Sequence, residues 1–222
     1  MLKIEVWMKD FAEKLRAAFG EKLEFVGLQG SYGRGEATDN SDIDVVVILS
    51  ELAMSDLERY KDLIGEMPYR EKICGFVSGR NELINWDKAD LFQFYHDTVP
   101  YFGSIDHLLP LISRSDVRRA VLLGACNIYH MCSHNFLHEY DAQILRSLYK
   151  TSFFVMIAKH FYQTGGFIKK KSDLTPLLSE EERNLLESIS LFDGSPLDDD
   201  QFKKLSKNML EWSGRLIQST KI

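Results

Sequence analysis

Apolar residues near the N-terminus recur every three or four positions, which is the period of a helix with one buried face. The recurring residues are Trp7, Phe11, Leu15 and Phe19. This spacing predicts a helix over residues 6–19, and Gly20 is a natural stop because glycine commonly ends helices.

Short apolar runs follow this helix, and they predict strands. The predicted strands cover residues 23–28, 43–49, 72–77 and 91–95. Between the second and third of them, the spacing of Ser55 and Glu58 is typical of a capping box for a helix of about ten residues that ends before Pro68. The segment "SGRNELINWDKA" is predicted to be a loop or a short helix.

The hydrophobic pattern changes near residue 112, where long helical periods replace the short apolar runs. Helical patterns cover residues 115–138, 140–162, 179–190 and 199–219. We therefore predict an α+β fold, with a mixed sheet and helices over residues 1–112 and an all-α helical bundle over residues 113–222.

The composition narrows the choice of partners. The net charge of −6 argues against a general nucleic-acid binder, because phosphate backbones require a basic surface. No run of about 18 apolar residues is present, so we expect no transmembrane helix, and the charged N-terminus lacks the apolar region of a signal peptide. Three cysteines do not suggest a disulfide scaffold. The reduced cytoplasm is therefore the expected location.

Two acidic residues open the second predicted strand in "DNSDIDVVVIL". Asp42 and Asp44 are two positions apart, so a strand places both carboxylates on one face, while Ile43, Val45 and Val47 point into the core. The two charges repel each other, and burial would raise their pKa values. A divalent cation with oxygen ligands, such as Mg²⁺, relieves that repulsion.

The glycine-rich segment before this pair has the chemistry of an anion site. Gly30, Gly33 and Gly35 allow backbone N–H groups to approach an anion closely. Ser31 can donate a hydroxyl hydrogen bond to a phosphate, and Arg34 can neutralise phosphate charge with its planar fork. Together with the carboxylates, these residues suit a nucleoside triphosphate with Mg²⁺. The spacing fits neither a Walker loop nor a G-x-G-x-x-G dinucleotide loop.

The stretch "GSYGRGEATDNSDIDVVV" closely resembles the signature of the nucleotidyltransferase superfamily with the DNA polymerase beta-like catalytic core. Gly30 and Ser31 match its Gly-Ser, Arg34 and Gly35 its Arg-Gly, and Asp42 and Asp44 its metal-binding pair. The resemblance implies a nucleotidyltransferase-type sheet. It also implies transfer of a nucleoside monophosphate, expected to be AMP from ATP, to a hydroxyl group with two Mg²⁺ ions and release of pyrophosphate.

The resemblance also implies a third acidic residue on a neighbouring strand, which binds metal or takes a proton from the attacking hydroxyl. The strand "KICGFV" contains no acid, and Cys74 occupies its middle. We expect Asp90, at the start of "DLFQFYHD", to complete the metal and catalytic set. Asp97, which a regular strand would place on the opposite face, and Glu82 are the alternatives.

The second half carries a further resemblance. The stretch "LYKTSFFVMIAKHFYQTGGFIKKKSDLTPLL" is similar to the C-terminal helical region of aminoglycoside nucleotidyltransferases. The resemblance implies that Lys171, and secondarily Lys169, reaches the triphosphate, although a solvated basic turn is the other interpretation. Arg146 and Lys150, one helical turn apart, are similar candidates.

Histidines and a cysteine recur every four residues in the first long helical pattern. They are Cys126, His130, His134 and His138. Such a stripe can ligate zinc, but we expect a half-buried helix face instead. The Arg-to-His spacing of helical nuclease domains is absent, which argues against an internal ribonuclease.

The acceptor of the nucleotide remains open at this stage. The acidic net charge suits a small cationic acceptor such as an aminoglycoside, held in a cleft that aromatic residues can line. The aromatic candidates are Trp86, Phe92, Phe94 and Tyr95. A protein hydroxyl, as in antitoxin-type nucleotidyltransferases, is the alternative acceptor. A non-catalytic nucleotide-binding module is the alternative function, because "KICGFV" lacks an acid.

Overall fold

The protein is represented by a computed structural model that describes residues 2–193 and 196–219. The chain divides into two compact units, Met1–Ile112 and Ser113–Ile222. The first unit contains α1 (Ile4–Phe19), β1 (Leu23–Leu28), α2 (Gly30–Arg34), β2 (Ile43–Leu49), α3 (Met54–Gly65), β3 (Ile73–Gly79), α4 (Arg80–Ile84), α5 (Lys88–Asp97) and β4 (Val99–Phe102). The predicted α+β class, with a mixed sheet followed by a helical part, is confirmed.

The sheet has the strand order β3-β2-β1-β4. Strand β1 pairs antiparallel with β2 and β4, whereas β2 and β3 run parallel. The predicted α1, β1 and β2 match the structure closely, and the predicted α1 residues Trp7, Phe11, Leu15 and Phe19 are all buried.

Strand β2 is buried on both of its faces. Val45 and Val47 pack in one apolar cluster with α1, and Val46 and Ile48 pack in a second cluster on the other face. The entry of β2 into the sheet is therefore fixed by apolar packing on both sides, which holds Asp42 and Asp44 at one edge of the core.

The strand predicted over residues 91–95 is wrong, because these residues belong to helix α5. The Asp87 side chain caps this helix by accepting the Ala89 N–H at 2.9 Å, and Ala89, Leu91 and Phe92 are buried. The fourth strand is β4, which begins directly after α5. It contains Pro100, which is tolerated because β4 is an edge strand.

The predicted capping box of Ser55 and Glu58 is also wrong. Helix α3 begins at Met54, and the Asp56 carboxylate accepts the Ala53 N–H at 2.8 Å. Asp56 also pairs with the Lys22 ammonium at 2.6 Å, and that contact lowers its pKa.

The second unit is helical. Its main helices are α6 (Arg114–His134), α7 (Ala142–Thr164), α8 (Lys171–Leu174), α9 (Glu180–Glu187) and α10 (Asp199–Ser219). A π-helical turn, Asn135–Glu139, follows α6. Within the described residues, none of the helices has the length and apolar character needed to cross a membrane.

Candidate active site

The glycine-rich segment folds as α2, a helix of five residues between β1 and β2, rather than as an open loop. The Gln29 N–H donates to the Asp44 carbonyl at 2.8 Å, so the start of α2 is tied to the start of β2. Gly30 has a φ of +67°, and a Cβ at this position would lie 1.9 Å from Oδ2 of Asp44. Only glycine therefore leaves room for the Asp44 carboxylate beside the Gly-Ser pair.

The two acidic residues differ in their environment. Asp42 is exposed and directly precedes β2, whereas Asp44 is half-buried within it. Burial raises the pKa of Asp44, and the nearby charges of Asp42 and Asp97 raise it further, while the Arg34 guanidinium opposes the shift. A cation beside the pair would relieve this unfavourable charge.

Backbone donors follow Gly30 in the chain, and Gly30 adjoins the Asp44 carboxylate. Among the residues that the structure describes, the N–H groups of Ser31 and Tyr32 and the hydroxyl of Ser31 have no hydrogen-bond partner. The following N–H groups are satisfied, since Gly33 donates to the Gln29 carbonyl at 3.1 Å and Gly35 to the Tyr32 carbonyl at 3.1 Å. The first turn of α2 thus has donors available for an anion.

Arg34 is oriented by Asp97. Its Nη1 contacts Oδ2 and Oδ1 of Asp97 at 3.1 and 3.3 Å, and its Nε contacts Glu36 at 3.4 Å. The side chains of Arg34 and Asp97 are only 12% and 10% exposed. Asp97 also accepts the Gly30 N–H at 3.3 Å, so one carboxylate fixes both the start and the end of α2.

The structure does not bring Asp90 together with Asp42 and Asp44. Asp90 lies on α5, not on a strand, and is exposed two helical turns before Asp97. Asp90 and Asp97 therefore share one helix face, instead of opposite faces of a strand. Within the described residues, no group of three or more His, Cys, Asp or Glu side chains is placed to hold a metal ion.

The neighbouring strand β3 offers a thiol where an acid was expected. Cys74 is the register partner of Asp44 across the parallel β2–β3 ladder, and it is exposed. Its successor Gly75 is required by packing, because a Cβ there would lie 1.9 Å from the Val45 carbonyl oxygen. Glu82, the third alternative acid, is exposed on α4.

Of the candidate residues in the second unit, Lys171 makes a local hydrogen bond. Lys171 begins α8, and its ammonium donates to the Leu186 carbonyl at 2.9 Å. Lys169 is half-buried before α8, and Arg146 and Lys150 lie on α7.

The histidine stripe runs along α6 into the π-helical turn. The His134 and His138 ring centroids are 4.8 Å apart, and Cys126, His130 and His138 are exposed. None of these side chains belongs to a three-ligand metal group within the described part of the chain.

A cavity on α5 contains residues that the sequence did not single out. It is lined by Gln29, Phe76, Leu83, Trp86, Asp90, Gln93, Phe94 and Asp97. Trp86 and Phe94 were predicted to line a cleft, but Phe92 is fully buried. Gln93 was missed because its position on the cavity face follows only from the helical conformation of α5.

A comparison of the sequence with protein-family models identifies one domain of the chain. Residues 8–91 match the family model described as "Nucleotidyltransferase domain". This part of the chain is therefore a nucleotidyltransferase domain. The matched segment includes α2, Asp42 and Asp44, and it ends before Asp97.

Two curated proteins of Methanocaldococcus jannaschii resemble part of the chain. "Putative protein adenylyltransferase MJ1305" is 36% identical over 66 residues, which are 28% of this chain and 45% of that protein. "Putative protein adenylyltransferase MJ1379" is 43% identical over 54 residues, which are 24% of this chain and 51% of that protein. The chain thus spans about half the length of the curated relatives it matches.

A solved structure has the same fold over most of the chain. It is the crystal structure of spectinomycin adenyltransferase AAD(9) from Enterococcus faecialis with ATP and spectinomycin. The TM-score is 0.60 at 15% identity, and the match covers 96% of this chain and 98% of that one. At this identity the likeness supports the fold.

Proposed function

We propose that the protein is a Mg²⁺-dependent adenylyltransferase that moves AMP from ATP to a hydroxyl group of a small acceptor and releases pyrophosphate. The observation that carries the proposal is the contact between Asp44 and Gly30. The Asp44 carboxylate, whose pKa is raised, adjoins Gly30, and the next two residues, Ser31 and Tyr32, have unpartnered N–H groups among the described residues. Negative ligands for a cation and donors for a phosphate therefore adjoin each other.

The donor set fits magnesium. Asp42 and Asp44 supply only carboxylate oxygens, which Mg²⁺ prefers, and Mg²⁺ is usually held by one or two carboxylates together with substrate phosphates. The absence of a three-acid group among the described residues agrees with a site that phosphate oxygens complete. When bound, magnesium would neutralise charge on the triphosphate.

The other residues position the substrate. The Ser31 hydroxyl and the N–H groups at the start of α2 would donate hydrogen bonds to the outer phosphates, and Arg34 would stabilise their negative charge. Asp97 would act as a positioning residue, since it holds both Gly30 and Arg34. Catalysis would come from positioning and charge neutralisation, so a dedicated base is not essential. Asp90 stays a candidate for orienting the acceptor, without a metal role, and Lys171 a candidate for the triphosphate.

The acceptor has two candidates. The net charge of −6 favours a small cationic acceptor, and the structural neighbour was crystallised with spectinomycin. A protein hydroxyl is the second candidate, because both curated relatives are named as protein adenylyltransferases.

Label transfer tests this proposal. The purified protein is incubated with Mg²⁺ and ATP labelled at the α-phosphate, with either an aminoglycoside panel that includes spectinomycin or a cell protein extract. We expect pyrophosphate release and labelled small products. Label on protein bands alone would select the second acceptor class. No pyrophosphate release and no labelled product with either class of acceptor would contradict the enzymatic proposal.

A further inference from the structure

Gln29 lies where three elements of the first unit meet. It directly precedes α2, and its neighbour Leu28 is the last residue of β1. Leu28 pairs with Val99, the first residue of β4, so the antiparallel ladder brings Gln29 next to Thr98, the residue that follows α5. Gln29 therefore links the start of α2 to the C-terminal end of α5.

The Gln29 side chain caps the end of α5. Its Nε2 donates to the Phe94 carbonyl at 3.1 Å and to the Thr98 hydroxyl at 2.7 Å. A carbonyl can only accept a hydrogen bond, so the nitrogen of the amide must face α5. Phe94 lies in the last turn of α5, where the carbonyls have no partner within the helix. The amide supplies a partner for that carbonyl.

The backbone of the same residue is bonded to β2. The Gln29 N–H donates to the Asp44 carbonyl at 2.8 Å, and the next residue, Gly30, adjoins the Asp44 carboxylate. One residue thus connects the end of α5 and the start of β2, by one backbone and two side-chain hydrogen bonds.

The turn that Gln29 caps also carries Asp97. Asp97 is 7% exposed, and it accepts hydrogen bonds from the Gly30 N–H at 3.3 Å and from Nη1 of Arg34 at 3.1 Å. The ends of helices open more readily than their interiors, and opening of this turn would release both contacts. A cap on α5 therefore fixes the groups that are proposed to face phosphate.

A second glutamine offers a comparison within the same cavity. Gln29 and Gln93 both line the cavity on α5. Nε2 of Gln93 is buried and has no hydrogen-bond partner within the described part of the chain. The two side chains share their chemistry and their cavity, and they differ in the hydrogen bonds that they make.

We propose that Gln29 is a positioning residue for the triphosphate, because its amide holds the last turn of α5 and thereby keeps Asp97 on Gly30 and Arg34. The residue acts through Asp97 and does not contact the phosphates with its side chain. This inference rests on the proposed function, since it takes the triphosphate to lie at α2. It deepens that function by assigning the alignment of the phosphate-binding groups to a residue outside them.

A double-mutant cycle on Mg²⁺–ATP affinity tests the inference. Gln29→Met keeps the length of the side chain and removes both hydrogen bonds, so it is expected to weaken binding by about tenfold. In an Asp97→Asn background the same change is expected to weaken binding by less than about twofold, because the charged contact through which Gln29 acts is already lost. Calorimetry without acceptor measures all four proteins. A residue that only supports the fold would lower stability without this coupling.

The matched control is Gln93→Met, the same substitution in the same cavity. It removes no hydrogen bond that the structure shows, so it is expected to keep the wild-type affinity within about twofold. Hydrogen exchange of residues 94–97 is expected to be faster in Gln29→Met than in Gln93→Met, because only the first change uncaps α5. If Gln29→Met does not fold, Thr98→Val removes the other hydroxyl partner, and it is expected to weaken binding by about threefold when Asp97 is present.

The outcomes separate this inference from the proposed function. Equal losses of affinity in both backgrounds, or no loss in either, overturn the role of Gln29 even if AMP transfer is observed. A loss confined to the background that retains Asp97 upholds that role even if no acceptor is ever labelled. A wild-type protein that binds no Mg²⁺–ATP contradicts both proposals.

Discussion

At the residue scale, the site depends on the close approach of the Asp44 carboxylate to the backbone of Gly30. The sequence shows two features there, a Gly-Ser pair and a carboxylate pair on a strand, but it does not show that they touch. The structure places Oδ2 of Asp44 where a Gly30 side chain would begin. The glycine is thus required twice, for its positive φ and for the space.

Gly30→Ala is therefore expected to displace the Asp44 carboxylate and to weaken Mg²⁺–ATP binding by at least about tenfold, as for a lost charged contact. The matched control is Gly20→Ala, because Gly20 also has a positive φ, of +55°, but no atom within 4 Å of its Cβ position. Calorimetric titration of both variants checks the prediction. Equal losses of affinity would show that backbone strain alone is responsible.

The raised pKa of Asp44 predicts a dependence of stability on pH. An acid whose pKa is higher in the folded than in the unfolded protein favours folding at low pH, and that contribution is lost as the pH rises through the folded pKa. Without metal at neutral pH, charged Asp44 should therefore destabilise the fold. Asp44→Asn is expected to raise the melting temperature in EDTA at pH 7, and the gain should shrink as the pH is lowered towards about 4. A variant that melts lower at pH 7 would contradict this.

At the element scale, the sequence specified β1 and β2 well and α5 poorly. The run of Val45 to Leu49 is continuously apolar because the strand is buried on both faces, and no helical period fits it better. The run "DLFQFYHD" suits either conformation, since a short run rich in aromatic residues can form a strand, while Leu91, Phe92 and Tyr95 also share a helix face. Its helical state depends on capping by Asp87 and on packing against the sheet.

The contact of Asp97 with α2 could not be predicted from the sequence, because it joins residues that are far apart in the chain. Arg34 and Asp97 are separated by 63 positions along the chain. Only the return of the chain through α5 to β4, which pairs with β1, brings them together. No local pattern distinguishes Asp97 from an acid that merely ends a helix.

Asp97→Asn is expected to lower the free energy of unfolding by about 1–3 kcal/mol, because the largely buried Arg34 loses the closer of its two charged partners, Asp97 and Glu36. It should also raise the KM for ATP, since Gly30 and Arg34 lose their anchor. Asp90→Asn, an exposed change on the same helix, should alter the unfolding free energy by less than about 0.5 kcal/mol. Urea unfolding of the two variants makes the comparison. Equal stabilities would contradict a structural role for Asp97.

At the scale of the whole molecule, the match with the family model ends at residue 91, whereas the structural likeness covers 96% of the chain. The helical unit is therefore recognisable by its fold more than by its sequence. Its long helical periods were sufficient to predict α6, α7, α9 and α10. They give no information on the role of its basic residues.

Lys171 tests whether the helical unit takes part in nucleotide binding. Lys171→Met is expected to weaken Mg²⁺–ATP affinity by about tenfold, and the loss should shrink at high salt because charge interactions are screened. Lys170→Met is the matched control, because Lys170 is the preceding residue and its side chain is exposed. Calorimetry at low and high salt distinguishes them. If Lys171→Met lowers only the stability and leaves the affinity unchanged, Lys171 has a structural role through its hydrogen bond to the Leu186 carbonyl and no role in nucleotide binding.

The central claim is that Asp42 and Asp44 hold a divalent cation that joins the protein to a triphosphate. The most direct measurement is calorimetric titration of ATP into the wild-type protein and the Asp42→Asn, Asp44→Asn double variant, each with Mg²⁺ and with EDTA. We expect wild-type binding to require Mg²⁺ and the double variant to lose at least about a hundredfold in affinity, as for two charged contacts. Equal ATP affinity in all four titrations would contradict the claim.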